Sequence, residues 1–432
     1  MASESDGVDL RPRAMMDSPL VARMPFHDDT LSVSALTSDS LCGRPAWARV
    51  DLGVIASNTK ALRSVIGSSV ELIAVVKANA YGHGAVPVAQ ACLAAGATRL
   101  AVACVDEGIE LRRAGITAPV LVMGWTPPWD AIRAVAHNLT VTVDGMKLAW
   151  ALSHEAVACS VNQPIHIKID TGMGRFGLLP AEAADFVESV RRLPGLWLEG
   201  AFTHLARSDE PDAGPSRRQL HVFGRVLDDL AGRGIKFQLR HAANTAAALA
   251  LPESRLDAVR CGIGLFGLHP SATTRAIVDL KPAMNILARL ARVCRLPKGS
   301  QIGYGGTHIL DRDRLVGLVP LGYADGVPRS LSNRGEVLIG GRRAPIIGRV
   351  SMDQISVDVE GLEAKVGDEV VVLGSQGEQN IPAEELAGHA GTIHYEIVTG
   401  IPPRLPRVYV QNETLVQVQT LLGRQFPQAI RD

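Results

Sequence analysis

The sequence predicts an α/β protein: a (β/α)8 barrel of the TIM type followed by a mostly β C-terminal domain. From residue 71 to about 267, short apolar runs alternate with helix-like stretches, a pattern typical of parallel strands joined by helices. Polar residues collect near the ends of these runs, and beyond about residue 285 the sequence becomes β-rich with glycine turns. We expect an N-terminal extension over 1–45, the barrel over 46–284 and the β domain over 285–422.

Eight apolar runs are the predicted barrel strands. They are Leu72–Val76, Leu100–Ala103, Val120–Met123, Val141–Val143, Ile165–Ile169, Leu198–Phe202, Phe237–Leu239 and Ile263–Phe266. A helix is predicted between each successive pair: Val86–Ala95, Asp106–Ala114, Trp129–Ala136, Lys147–Glu155, Ala181–Arg192, Ser216–Arg233 and Thr245–Leu251. A doubly wound open sheet shares this alternation and is the main alternative.

The positions of the polar residues favour the barrel over the open sheet. In a barrel, the C-terminal ends of different strands converge on one active-site face. Candidate functional residues lie near the run ends: Lys77, Lys168 with Asp170, Thr203 with His204, His241 and Arg260.

The C-terminal domain is predicted from β-rich segments and the turns between them. The segments are Leu315–Leu321, Glu336–Ile339, Ala344–Ile347, Ile355–Val359 and Glu369–Leu373, with one helix at Ala383–His389. Residues 46–51 form another strand-like piece, which the pattern alone assigns to neither domain.

The composition indicates a soluble protein without a nucleic-acid or membrane partner. The 432 residues carry a formal net charge of +0, and no apolar stretch reaches the roughly 18 residues that span a bilayer. Six cysteines are scattered without zinc-ligand spacing, which favours a reduced cytoplasmic protein with no metal site.

Residues 1–45 differ from the rest of the chain. They are rich in Asp, Ser, Pro and Met and show no sustained period, so we expect a disordered extension. The segment has no basic region followed by an apolar one, and it is therefore not predicted to be a signal peptide. Met15, Met16 and Met24 leave a later start open.

The segment ELIAVVKANAYGHGA, residues 71–85, is the most informative part of the chain. An apolar run ends at Lys77 and turn-forming residues follow at once. A lysine beside an apolar wall has a lowered pKa and can form a Schiff base. The alternative is a lysine that ends a strand and points to water.

VVKANAYGHG resembles, nearly letter for letter, the pyridoxal-phosphate attachment motif of the alanine racemases. The resemblance implies a (β/α)8 barrel that holds pyridoxal 5′-phosphate on Lys77, with Tyr81 also contacting the cofactor. It covers about residues 46–410, with motifs in both predicted domains.

The second motif is IHIKIDTGMGRFG, residues 165–177, where a strand is followed by a glycine-rich turn. Alone it fits an ordinary strand–turn–helix junction as well as a ligand-binding loop. The resemblance implies that Arg175 contacts the phenolic oxygen of the cofactor and the catalytic tyrosine. It also implies that Lys168, often carbamylated in the family, braces that arginine.

Further barrel residues are cofactor-binding candidates. Asn244 and Thr245 stand at a predicted helix start, which suits a phosphate but also fits a plain N-cap. The resemblance places His204 under the cofactor ring, Arg260 against its pyridine nitrogen, and the backbone of Gly262 and Ile263 at its phosphate. An arginine does not give up its proton, so Arg260 would keep that nitrogen unprotonated and restrain side reactions.

The C-terminal motifs complete the resemblance. They include Tyr304 in QIGYGGTH, Tyr323 in LGYADGVPR, Met352 and Asp353 in GRVSMDQ, and Tyr395 in HYEIVT. The resemblance implies that Tyr395 binds the phosphate and that Tyr304 is catalytic. It implies substrate binding by Arg175, Tyr323, Met352 and Asp353. In the family, the residues that match Tyr304 and Met352 reach the site from the other subunit, which implies a homodimer with shared active sites.

The implied reaction is the interconversion of L-alanine and D-alanine, supplying D-alanine for peptidoglycan. Removing the α-proton on one face and returning it on the other requires two bases, Lys77 on the D face and Tyr304 on the L face. Arg175 and His204 are expected to lower the pKa of Tyr304. The alternatives are a broader Ala/Ser racemase, a related amino-acid decarboxylase and a non-catalytic pyridoxal-phosphate carrier.

Overall fold

The computed structural model describes residues 43–425, and eight parallel strands among them close into a barrel. The barrel strands are β2 (Glu71–Val75), β3 (Arg99–Val102), β4 (Val120–Val122), β5 (Thr140–Val143), β6 (Gln163–Lys168), β7 (Leu196–Phe202), β8 (Leu239–His241) and β9 (Ala258–Cys261). Strand β9 returns to β2 and pairs Arg260 with Ile73. The predicted fold class is confirmed.

A helix separates each pair of successive barrel strands, as predicted. These helices are α2 (Ala85–Ala94), α3 (Val105–Arg113), α4 (Ala131–Ala136), α5 (Met146–Ala158), α6 (Pro180–Val190), α7 (Gly214–Gly232) and α8 (Thr245–Ala250). Helix α1 (Leu52–Ile66), which precedes the barrel, was not predicted; Asp51 caps it by accepting a hydrogen bond from the Val54 N–H.

The last two barrel strands were predicted wrongly. Ile263–Phe266 forms a 3₁₀ turn, and the eighth strand is Ala258–Cys261. The seventh strand begins at Leu239, where the predicted run ends. Both true strands carry buried polar side chains, His241 and Arg260, so a search for continuous apolar runs passes over them.

A second sheet of twelve strands makes up most of the C-terminal domain. Its order is β11-β14-β17-β16-β15-β18-β10-β1-β20-β21-β22, and β19 pairs with β18. The strands are β1 (Ala46–Asp51), β10 (Met284–Arg289), β11 (Arg292–Leu296), β14 (Arg314–Val319), β15 (Glu336–Ile339), β16 (Arg342–Ile347), β17 (Ile355–Asp358), β18 (Glu369–Gln376), β19 (Gln379–Ile381), β20 (Arg407–Gln411), β21 (Thr414–Thr420) and β22 (Gly423–Gln425).

Shorter elements complete the chain. A small hairpin is formed by β12 (Gln301–Ile302) and β13 (His308–Ile309), and the remaining helices are α9 (Ala272–Arg275), α10 (Ala383–Ala390) and α11 (His394–Thr399). Further 3₁₀ turns occur at Pro128–Asp130, Pro252–Ser254, Tyr304–Gly306, Tyr323–Asp325 and Arg329–Leu331.

Strand β1, which the sequence pattern left unassigned, lies in the C-terminal sheet. It pairs antiparallel with β10 and parallel with β20. From Ala46 onward, the chain thus runs through this sheet, passes through the barrel and returns to the sheet. The domain limits 46–284 and 285–422 stay a prediction, and the expected disordered extension lies outside the described residues except for 43–45. Among residues 43–425, no helix is long and apolar enough to cross a membrane.

Gly82, at the end of the turn after Lys77, packs closely against the C-terminal domain. Its φ is +82°, and a Cβ there would lie 2.0 Å from the Val398 carbonyl oxygen. Gly391, which follows helix α10, has a similar left-handed backbone with φ of 75° and ψ of 34°, but nothing lies within 4 Å of the same position. The two glycines therefore separate backbone strain from steric overlap.

We expect Gly82→Ala to destabilise the protein well beyond Gly391→Ala. Gly391→Ala should cost about 1–2 kcal/mol for the left-handed backbone, and Gly82→Ala about 1–3 kcal/mol more for the overlap. Denaturant unfolding of both variants measures the difference. Equal losses would show that the loop moves away from Val398 without penalty.

Candidate active site

A cavity of about 550 Å³ opens at the C-terminal ends of the barrel strands. Its wall includes Val75 at the end of β2, Phe202 at the end of β7 and Met123 just after β4. Eleven of the predicted site residues line it: Lys77, Tyr81, Lys168, Arg175, His204, Asn244, Thr245, Arg260, Gly262, Ile263 and Tyr395.

Lys77 enters the cavity from the start of an unusual turn. Strand β2 ends at Val75, and the helical turn Lys77–Tyr81 follows. From Ala78 to Tyr81 every residue has φ between 51° and 53°, a left-handed conformation that costs a non-glycine residue about 1–2 kcal/mol. Strain of this kind persists only where surrounding contacts hold it, and it is commonly found at functional sites.

Glu107 of helix α3 holds the first residue of this turn. Its carboxylate accepts hydrogen bonds from the Ala78 N–H at 2.7 Å and the Ala103 N–H at 2.6 Å. At the far end of the turn, the buried Arg407 of β20 donates to the Gly82 carbonyl at 2.8 Å. Contacts from a barrel helix and from the C-terminal sheet therefore fix the direction in which Lys77 points.

The surroundings of Lys77 favour its uncharged amine. Burial lowers its pKa most, the charges of Arg175 and Arg260 lower it further, and Glu107 alone among the main influences raises it. A neutral lysine is a nucleophile and a proton acceptor, whereas an ammonium group is neither. The sequence-based expectation of a lysine with a lowered pKa agrees with this environment.

Replacing Glu107 with glutamine should lower the pKa of Lys77 still further, because the only large influence that raises it is removed. The loss of a charged hydrogen-bond acceptor should also cost about 1–2 kcal/mol of stability. We expect reductive methylation of Lys77 in the cofactor-free protein, followed by peptide mass spectrometry, to shift to lower pH. Glu110→Gln, an exposed change on the same helix, is the matched control. Equal profiles for the two variants would contradict this role of Glu107.

Arg175 stands in a loop that Asp170 organises. One carboxylate oxygen of Asp170 accepts from the N–H groups of Gly172, Met173 and Gly174, and the other accepts from the Arg175 N–H at 3.2 Å. These hydrogen bonds lower the pKa of Asp170 although burial opposes them. The acidic residue after the strand thus shapes the loop that carries Arg175 into the cavity.

Lys168 lies at the end of β6, with its Nζ 3.6 Å from the centre of the Phe176 ring. Burial, then the charges of Arg175 and Arg260, lower its pKa to about 8. A lysine with this pKa has a sizeable neutral fraction at neutral pH.

Arg260 is a buried cation that donates several hydrogen bonds. It donates to His241 Nδ1 at 2.7 Å and to the carbonyls of Thr203 and Ala242 at 2.9 Å each. A longer contact of 3.3 Å reaches His204 Nδ1. Burial and the neighbouring cations lower the pKa of His204 to about 3, so His204 is neutral at neutral pH. Burial lowers the pKa of Arg260 to about 9, which still leaves it charged there.

Asn244 and Thr245 make internal hydrogen bonds beside the cavity. Asn244 caps helix α8 by accepting from the Ala247 N–H at 3.1 Å, as the N-cap interpretation expects, and also accepts from Ser208. Thr245 accepts from the Gly262 N–H at 3.0 Å. A Cβ at Gly262 would lie 2.5 Å from the Tyr81 hydroxyl, so only glycine fits there.

Four predicted site residues of the C-terminal domain lie outside the cavity lining: Tyr304, Tyr323, Met352 and Asp353. Tyr304 is 72% exposed, Met352 51% and Tyr323 43%. The loops of Tyr323 and Met352 are joined, since the Ala324 N–H donates to the Met352 carbonyl. Asp353 pairs with Arg404 at 2.7 Å.

Several residues at the site were not predicted. Glu107 was missed because it contacts Ala78, which lies 29 positions earlier in the chain. Asp209 lines the cavity, but it follows His204 without a recognisable pattern. Glu199 and His166 lie inside the barrel beneath Arg260, where they bond to each other. Their strands were predicted, but an apolar-run criterion says nothing about polar residues within a strand.

Comparison with protein families matches both parts of the chain. Residues 50–270 match the model "Alanine racemase, N-terminal domain", and residues 283–409 match "Alanine racemase, C-terminal domain". An alanine racemase of Carboxydothermus hydrogenoformans is 47% identical over 369 residues, which cover 85% of this chain and 100% of that protein. One from Symbiobacterium thermophilum is 47% identical over 367 residues, 85% of this chain and 97% of the relative.

Solved structures show the same similarity. Alanine racemase from Bacillus anthracis with bound L-Ala-P superposes with a TM-score of 0.84 at 40% identity, covering 88% of this chain and 98% of that one. A histidine racemase from Leuconostoc mesenteroides also superposes, with a TM-score of 0.78 at 29% identity, covering 85% and 98%.

Proposed function

The chain belongs to the alanine racemase family, and from this premise we propose that it interconverts L-alanine and D-alanine with pyridoxal 5′-phosphate as cofactor. The observation that carries the proposal is the meeting of Lys77, Arg175, His204 and Arg260 in one cavity. These side chains come from separate motifs of the chain, and each has a distinct part in the reaction proposed below.

The cavity residues fit pyridoxal phosphate. Four basic side chains line the wall, Lys77, Lys168, Arg175 and Arg260, against one acidic residue of the described chain, Asp209. This balance suits an anionic ligand. The volume of about 550 Å³ is within the range of small-molecule sites, roughly 300–1,000 Å³.

We assign parts of the cavity to parts of the cofactor. Lys77 would bind it covalently, Arg260 would face its ring nitrogen and Arg175 its phenolic oxygen. His204 and Tyr81 would lie near the ring. The phosphate would be held by Asn244, Thr245, Gly262, Ile263 and Tyr395.

Pyridoxal phosphate, when bound, withdraws electrons from Cα of the amino acid and so acidifies its proton. Lys77 would then exchange that proton on the D face, and its lowered pKa supports the role of a base. Arg260 remains a cation and a hydrogen-bond donor, so it would keep the ring nitrogen unprotonated and would favour simple proton exchange over side reactions. The related decarboxylases usually place a glutamate there, so Arg260 argues against that alternative.

The second base would come from a partner subunit. Tyr304 and Met352 are exposed and lie outside the cavity of their own chain, as expected for residues that enter the site of a neighbour. We propose a homodimer in which Tyr304 serves the L face, with Tyr323, Met352 and Asp353 beside the substrate. A carrier without catalysis would not need this second set, which counts against the carrier alternative.

Lys168 is proposed to be carbamylated and to brace Arg175. Its lowered pKa of about 8 supplies the neutral amine that reacts with carbon dioxide. A carbamate would also place a negative charge among the surrounding cations.

We place the reaction in the cytoplasm, where it would supply D-alanine for peptidoglycan. A broader Ala/Ser racemase is the second candidate. The structural similarity to a histidine racemase is consistent with one fold serving racemases of different substrates. A pocket with no group that hydrogen-bonds the serine hydroxyl discriminates only modestly between serine and alanine.

The proposed function is tested by incubating the purified protein and pyridoxal phosphate with L-alanine, L-serine and L-histidine separately, followed by chiral chromatography. We expect D-alanine to form with the highest kcat/KM. A higher kcat/KM for serine or histidine would reassign the substrate. Bound cofactor without inversion of any of the three would overturn the proposal.

A further inference from the structure

A row of buried polar side chains leads from the cavity into the barrel interior. Arg260 Nη1 is 2.7 Å from His241 Nδ1, His241 Nε2 is 2.9 Å from His166 Nδ1, and His166 Nε2 is 3.1 Å from a Glu199 oxygen. All four side chains are buried. We call this row, Arg260–His241–His166–Glu199, the buried hydrogen-bond chain.

The chain has only one consistent arrangement of protons. A guanidinium group can only donate, so His241 Nδ1 must accept and carries no proton. His241 therefore holds its proton on Nε2 and donates it to His166 Nδ1. By the same argument, His166 holds its proton on Nε2 and donates it to Glu199. All three hydrogen bonds point from Arg260 towards the carboxylate, and both imidazoles are neutral.

The electrostatic environment agrees with this arrangement. Burial, followed by nearby charges, lowers the pKa of His241 well below its usual value, and burial is also the main cause of the lowered pKa of His166. Burial alone would raise the pKa of Glu199, but its bonds to His166 and Arg99 lower it overall. The chain thus ends on a charged carboxylate.

Arg260 needs such a partner because its other hydrogen bonds compensate its charge poorly. Its Nη2 donates to two backbone carbonyls, which are neutral. Lys168 and Arg175 line the same cavity and add positive charge. An unpaired buried cation is strongly destabilised, whereas hydrogen bonds in a row polarise one another and pass on the influence of a distant charge.

We propose that Glu199, His166 and His241 are positioning residues for the reaction, which together keep Arg260 a charged, fixed donor at the cavity. This proposal rests on the proposed function, because it is the cofactor ring nitrogen that Arg260 would face. It adds a named counter-ion, Glu199, and a defined tautomer for two histidines.

The tautomers are tested directly on the cofactor-free protein. We expect ¹⁵N NMR of protein labelled at its 12 histidines to show His166 and His241 neutral and protonated at Nε2. Neither ring should titrate between about pH 6 and pH 9. The variants His166→Gln and His241→Gln assign the signals. A proton on Nδ1 of either ring, or titration in this range, would overturn the proposal.

Glu199→Gln tests the functional part, with Glu71→Gln as the matched control. Both variants remove one carboxylate that binds Arg99, but only Glu199 contacts His166. We expect Glu199→Gln to lower kcat about tenfold and to shift the absorbance maximum of bound cofactor. Tenfold is the lower end of the loss seen when a residue that orients a metal ligand is removed, which is a positioning role of the same kind. KM for alanine should stay within about twofold, because Glu199 does not line the cavity.

Glu71→Gln should keep the wild-type kcat and absorbance. Wild-type values in Glu199→Gln, or equal losses in both variants after normalising for folded protein by circular dichroism, would overturn the positioning role. Failure of the proposed function gives a different result: the wild-type protein would then not racemise alanine, while the histidine tautomers would still be as described.

Discussion

Lys77→Ala should abolish racemisation and, with it, the visible absorbance of bound cofactor. Lys77 is the lysine at the start of the strained turn, and both Glu107 and Arg407 hold this turn in place. Alanine removes the amine that would bind the cofactor and the base that would serve the D face. We expect a loss of activity of at least about 10⁴-fold, since a nucleophile and a base are lost together.

Spectrophotometry after gel filtration measures the bound cofactor, and chiral chromatography measures the activity. Lys147→Ala, an exposed lysine on helix α5, is the matched control and should behave like wild type. Racemisation at a wild-type rate by Lys77→Ala would show that Lys77 is not the attachment site.

Tyr304→Phe should reduce racemisation by roughly 10²–10⁴-fold, the usual contribution of a general acid or base. Because Tyr304 is 72% exposed in the single chain, loss of its hydroxyl should leave the folding of that chain unchanged. Cofactor absorbance should remain. A variant with normal activity would show that another group serves the L face.

Mixing two inactive variants tests whether the sites are shared between subunits. In a hybrid of Lys77→Ala with Tyr304→Phe, one of the two sites combines an intact Lys77 with an intact Tyr304. After random exchange, about a quarter of all sites should therefore be active. The control mixes Lys77→Ala with the double variant, whose hybrids contain no Lys77. No recovery in the first mixture, with exchange verified by mass spectrometry, would contradict a shared site.

Much of the fold could be predicted from the sequence because strands and helices alternate in clear apolar patterns. The limits of this approach lie at specific strands. Strands β8 and β9 were misplaced because His241 and Arg260 face the barrel interior, where hydrogen bonds rather than apolar contacts stabilise them. Strand β1 could not be assigned because its partners, β10 and β20, lie more than two hundred residues further along the chain.

The candidate site could be predicted in part, because some of its residues stand in distinctive sequence motifs. Lys77 and Arg175 stand in motifs whose neighbouring letters are distinctive, so the sequence alone draws attention to them. Glu107 and Glu199 act through contacts that are distant in sequence, 29 residues to Ala78 and 33 to His166. Neither glutamate stands in a motif, and only the closed barrel shows which residues they meet.

The central claim is that two bases act on opposite faces of Cα. NMR in deuterated water tests it most directly, with L-alanine and D-alanine supplied separately and early time points taken. We predict that each enantiomer is converted to the other with deuterium incorporated at Cα. Exchange of only one enantiomer, with its configuration retained, would show that a single base works on one face, and would contradict the account.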